Sequence, residues 1–193
     1  MLLLIVSICM GSQMANDVFD GFKYDRTDTV SSPVILRKTL LDYESMVKRE
    51  GGKTKIADVS VIDMDAIKNS LGIVPTPSSM DIVFIVSKMN VYGDDFYGSK
   101  KKCSKYILVD LKFNVTSPNK VDKNISNDSI RSKFKFSTDY IRSKDIKVPC
   151  WDVAFFVFNN ANFEQIKNCW ARRNLNSPKN IAVKQADFEV LFL

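Results

Sequence analysis

The run Trp151-Asp-Val-Ala-Phe-Phe-Val-Phe158 sets the tightest limit on what this chain can fold into. It has the length and the β-branched and aromatic composition of a strand, and its apolar residues fall on both sides of the pleat. Such a strand is buried on both faces, as in a parallel sheet lying under helices, with Pro149 marking its start. That makes the chain α/β. With 193 residues, 45% hydrophobic and 26% charged, it can fill one core of this kind and not comfortably two. A single domain over 31–193 is therefore expected, preceded by a leader-like segment, 1–30.

That segment opens on Met1-Leu-Leu-Leu-Ile-Val-Ser-Ile-Cys-Met10. The stretch matches a signal-peptide core in length and falls short of the roughly 20 apolar residues that span a bilayer. It lacks a basic start, and Gly11-Ser12 is a weak cleavage site, so a cytoplasmic protein with no membrane partner is expected, and export through this stretch is the alternative. Met14 offers a second start.

Ser32 as cap, Pro33 in the first turn and Gly51-Gly52 beyond the end predict one helix over 33–50, with Leu36, Leu40, Tyr43 and Val47 on one face. A second helix runs from Asp63 to Leu71, stopped by Gly72, Pro75 and Pro77. Asp81–Val86 and Tyr106–Phe113 read as the arms of a hairpin. Centring its turn near Asp95 and Phe96 sets Asp81 opposite Asp110. Beyond a linker with Pro118, residues 127–145 form a basic helix with Ile130, Phe134 and Ile141 at helical spacing. Another helix carries Phe163, Ile166 and Trp170, and Asp187–Leu193 alternates through Phe188, Val190 and Phe192 like a closing strand.

The chain contains no histidine, which removes Ser-His and Cys-His nucleophiles, His-ligated zinc and His acid–base catalysis together. Seven glycines form no phosphate loop or dinucleotide fingerprint, and four scattered cysteines indicate neither a zinc site nor a disulfide scaffold. Carboxylates and lysines remain. Asp110 and Lys112, two apart on one strand, project from the same face while Val109, Leu111 and Phe113 fill the other. With Asp81 across the hairpin, two oxygen ligands for a hard cation meet beside an ammonium able to orient an attacking water. A net charge of +6 favours an anionic partner.

At these residues the chain resembles the PD-(D/E)XK nuclease superfamily. Asp81 opens Asp-Ile-Val-Phe-Ile-Val, and Asp110-Leu111-Lys112 follows Ile107-Leu-Val, as the acid and the acid-x-Lys of that family do. The resemblance implies a restriction-endonuclease-like core: a central mixed sheet, an antiparallel meander plus a parallel strand, flanked by helices. It implies a Mg²⁺ (or Mn²⁺) cofactor held by Asp81 and Asp110, with Glu44 on the first helix assisting at the metal and Lys112 completing the catalytic set. The substrate would be DNA, with RNA as an alternative, cut by a restriction, defence or mobile-element nuclease, in some such enzymes a homodimer. Arg131, Lys133 and Lys135 would steer the nucleic-acid backbone. The alternative is a catalytically inactive nuclease-like fold serving as a binding or assembly module. The residues alone leave plainer roles open, with Asp110-x-Lys112 as the wet side of a strand, Glu44 as a surface partner of Lys48 and the basic helix as a solvated face.

Overall fold

The computed structural model describes residues 21–92, 99–175 and 179–193. In chain order the elements are β1 (Lys23–Tyr24), α1 (Arg26–Val30), α2 (Val34–Arg37), β2 (Leu40–Asp42), α3 (Tyr43–Arg49), β3 (Ser60–Asp63), α4 (Met64–Ser70), β4 (Ile82–Tyr92), β5 (Ser99–Leu111), α5 (Pro118–Asn124), α6 (Asn127–Lys144), β6 (Cys150–Phe158), α7 (Phe163–Arg172), β7 (Asn180–Lys184) and α8 (Gln185–Phe192). The strands make one seven-stranded mixed sheet in the order β2-β3-β4-β5-β6-β7, with β1 alongside β4. Pairing from β2 to β5 is antiparallel, whereas β5-β6 and β6-β7 are parallel. No helix among the described residues is long and apolar enough to cross a membrane.

Alternation along the strands divides the core in two. Val83, Ile85, Tyr106, Leu108 and Phe156 face one side, under Ile67 of α4, Ile130 and Ile141 of α6, and Ile166 and Trp170 of α7. Ile82, Phe84, Ile107, Val109, Phe155 and Val157 face the other, under Tyr43, Met46 and Val47 of α3 and Phe188 and Phe192 of α8. Strand β6 is covered on both sides, as its composition requires. Hairpin β4-β5 pairs Ile82 with Val109, the register that continues to Asp81 beside Asp110. The turn centre near Asp95 and Phe96 lies outside the described residues, as does the apolar stretch 1–10.

Two expected elements differ. The helix over 33–50 is broken, because its apolar residues serve opposite sides of the sheet: Leu36 belongs to the α6 side and Tyr43 to the α3 side. Between them the chain turns extended. The Thr39 carbonyl accepts the Asp63 N–H (3.0 Å), β2 pairs with β3, and the Asp42 carboxylate accepts the Ser45 N–H (2.7 Å) to start α3 afresh. The closing segment is α8 and no strand. Phe188 and Phe192, one helical turn apart, are both buried while Val190 is 78% exposed, and the last strand is β7, just before it. The fold also reaches into the segment assigned to a leader, since Lys23 and Tyr24 pair with β4 and Phe22 packs on Trp151.

Candidate functional site

Three backbone contacts fix the start of β4. The Asp81 N–H donates to the Val109 carbonyl (3.0 Å), the Asp81 carbonyl accepts the Met64 N–H (3.1 Å), and the Met80 N–H donates to Ser137 Oγ on α6 (2.9 Å). With its main chain held, the Asp81 side chain projects to the α6 side, and its Oδ2 accepts the Leu111 N–H at 2.6 Å. Asp110 follows Tyr106 and Leu108 on that same face of β5, and Lys112 is the next residue of the same parity.

Helix α6 crosses above them. Its inward stripe runs Ile130, Lys133, Phe134, Ser137, Thr138, Ile141, positions three and four apart. Lys133 therefore points into the sheet, where its Nζ donates to both Asp110 oxygens (3.2 and 3.1 Å) and lies 3.9 Å from Asp81 Oδ1. Lys112 Nζ donates to Asp110 Oδ1 at 2.6 Å. Two carboxylates and two ammoniums thus meet in a site where Asp110 is 1% and Asp81 7% exposed. A buried ion pair does little better than packed hydrophobic side chains of the same volume. Four ionisable groups gathered at one end of a hairpin are accordingly a candidate functional site.

The two acids differ in proton affinity. Burial, then the negative charge of Asp110, push the Asp81 carboxyl well above the usual carboxylate range, against the pull of Lys112 and Lys133. Burial acts on Asp110 in the same sense, but Lys112 and Lys133 outweigh it and hold Asp110 below that range. On Lys133 burial disfavours the charge, and Asp110 and Asp81 more than restore it, so it remains an ammonium at neutral pH and no base. The resulting pair is a carboxylate beside a carboxyl that gives up its proton reluctantly, an arrangement that a divalent cation would resolve by replacing the proton.

Oxygen donors suit a hard cation, and Mg²⁺ is commonly held by one or two carboxylates with water and phosphate oxygens completing its shell. Asp81 and Asp110 fit that description. Among the described residues no group of three or more His, Cys, Asp or Glu is gathered, so Asp81 and Asp110 stand without a third carboxylate. Glu44, expected to be that third, lies on α3, which packs against the opposite face of the sheet, and pairs there with Lys48 (2.7 Å) at a helical i,i+4 spacing. Asp81, Asp110 and Lys112 are brought together and Glu44 is not.

Of the basic residues expected to steer a nucleic acid, Arg131 and Lys135 are on the outer face of α6. Arg131 has an 80% exposed side chain near Asp128, and Lys135 pairs with Asp139. Lys133 alone turns inward, a difference visible in its spacing from Ile130 and Ile141. Arg173, elsewhere on the surface, donates to the Val121 and Ile125 carbonyls (2.8 and 2.6 Å) at the end of α5 and so serves that helix. No family model, no curated protein and no solved structure matches the chain.

Proposed function

We propose that this protein is a Mg²⁺-dependent phosphodiester hydrolase acting on DNA, built on a restriction-endonuclease-like core. One observation carries the reading: Asp81 and Asp110 emerge side by side from neighbouring antiparallel strands into one buried charged cluster with Lys112 beside them. The order α3-β3-α4-β4-β5-α5-α6-β6, with an antiparallel β3-β4-β5 meander and β6 parallel to β5, supports the same core.

Asp81 and Asp110 would hold the metal, which when bound supplies Lewis-acid activation of water and phosphate. Leu111, through its N–H, fixes the Asp81 carboxylate so that little rotamer freedom is lost on binding. Lys112, on the solvent side of Asp110, would position the nucleophilic water and stabilise the charge of the pentacovalent phosphate. Arg131 and Lys135 would attract the nucleic-acid backbone from the outer face of α6.

DNA cleavage with Mg²⁺ for the wild type, Lys112→Ala and Asp110→Ala tests the assignment. Cleavage is expected from the wild type alone, and equal activity in all three would sink it. A second reading rests on a specific feature: each oxygen of Asp110 already accepts from a lysine, so the recess is charge-compensated without metal, as suits a non-catalytic binding module. Mg²⁺ binding that is lost in Asp81→Asn separates the two, because the module needs none.

A further inference from the structure

We propose, on the basis of the metal-centre reading above, that the Lys133 ammonium is an internal competitor of the divalent cation: it occupies the gap between Asp81 and Asp110 and must swing out before metal enters, becoming free to bind a phosphate oxygen. Its Nζ lies 3.1 and 3.2 Å from the Asp110 oxygens and 3.9 Å from Asp81 Oδ1, so it sits within ion-pair range of both acids that would hold the metal. The other lysine differs. Lys112 donates to Asp110 Oδ1 at 2.6 Å, and among the described residues no ion pair links it to Asp81, so it can remain when the gap is filled.

Lys133 is also built to move. Its backbone is held in the middle of the long helix α6, anchored by Ile130 and Ile141 on either side and by Ser137 at the Met80 N–H, so the helix need not shift when the side chain does. Its side chain is 20% exposed against 1% for Asp110, which places the lysine between the carboxylates and solvent. The long methylene stem lets the charged head leave while the stem stays packed. A chain without metal thus keeps its carboxylates neutralised and oriented, and binding metal exposes one more cation to an anionic substrate.

The experiment is Mn²⁺ and Mg²⁺ titration by calorimetry of the full chain and of Lys133→Met, Lys133→Arg and Asp110→Asn, without substrate. Removing the competing charge in Lys133→Met is expected to tighten metal binding by at least about tenfold. Lys133→Arg keeps the charge and should bind no tighter than the wild type. In the wild type, reductive methylation read by mass spectrometry should label Lys133 several-fold more when Mg²⁺ is saturating, with Lys135 unchanged, and this measurement decides the matter if Lys133→Met does not fold. Metal binding that Asp110→Asn abolishes but Lys133→Met fails to tighten, or Lys133 labelling that metal leaves unaltered, overturns the competitor while the metal centre stands. An absence of Mn²⁺ and Mg²⁺ binding in every variant overturns the metal centre and the competitor with it.

Discussion

Asp81 is the group whose ionisation the fold resists, and Asp81→Asn measures that resistance. Asparagine keeps the shape and an acceptor oxygen for the Leu111 N–H but carries no charge. Burial and the neighbouring Asp110 charge raise the wild-type carboxyl well above its ordinary value. Between the unfolded value, about 4 for Asp, and the raised folded value, the folded chain holds a proton that the unfolded chain has released. Stability therefore falls as pH rises through that window and levels off above it. Asparagine removes the slope. The variant should therefore be more stable at pH 7 without metal, by the order of ~1–3 kcal/mol that an imperfectly compensated buried polar group costs in mutational data. At ~2–4 °C per kcal/mol for a chain of this size, that is about 2–12 °C in Tm. The gain should vanish below about pH 4, where both chains carry a neutral group. Asp110 has the opposite sign, since a depressed carboxylate stabilises at neutral pH and loses that contribution in acid. Mg²⁺ should reverse the order, raising the Tm of the wild type and leaving the variant unmoved, because a metal needs the ionised oxygen. Thermal unfolding followed by circular dichroism from pH 4 to pH 8, with and without Mg²⁺, reads all of this. A variant less stable than the wild type by the same amount at every pH would show that Asp81 is a structural acceptor and nothing more.

Glu44→Ala should change stability by no more than about 0.5 kcal/mol and leave Mg²⁺ affinity unchanged, since the ion pair with Lys48 is solvent-exposed and on the far side of the sheet; calorimetry with and without the substitution checks it. Ser137→Ala deprives the buried Met80 N–H of its acceptor and should cost about 1–3 kcal/mol in urea unfolding, with metal affinity falling too because Asp81 is the next residue. In Gly52→Ala the new methyl would meet the Phe113 ring at 2.5 Å and Val47 at 2.8 Å, so those buried side chains must give way, with a loss of about 1–3 kcal/mol in the same assay.

The sheet's centre and the two acids were legible because they depend on short-range rules. Alternation placed Asp110 and Lys112 on one face, and the hairpin register placed Asp81 beside Asp110. The basic helix was legible in outline from Ile130 and Ile141, and its spacing also put Lys133 among the buried positions, where a charge demands a partner. That signal was outweighed by the look of a basic stretch whose other members face water. Glu44 was misplaced for a different reason. Whether a helix lies above or below a sheet is a tertiary choice, and the four-residue spacing of Leu36, Leu40 and Glu44 is the same either way. The broken helix hides similarly, because Leu36 and Tyr43 fit one helical face in sequence but two separate cores in space. At the C-terminus, Phe188 and Phe192 satisfy both a period of two and a helical turn, and only the exposure of Val190 separates them.

Charge balance gives the recess its sense as a proposed catalytic centre. With all four groups ionised, Asp81 and Asp110 against Lys112 and Lys133 sum to zero. A divalent cation would add two positive charges, and a phosphodiester brings one negative charge at rest and a second as the nucleophile adds. With Lys133 turned out of the gap onto the phosphate, its charge would still count, so the surplus would be halved when substrate binds and cancelled only in the transition state, where preorganised charges of this kind accelerate a reaction. Were both lysines absent, metal and carboxylates would already balance and a phosphate's charge would find no compensation. The pair of lysines that makes the metal-free recess self-sufficient is therefore the same feature that would make the metal-bound one electrostatically hungry for phosphate.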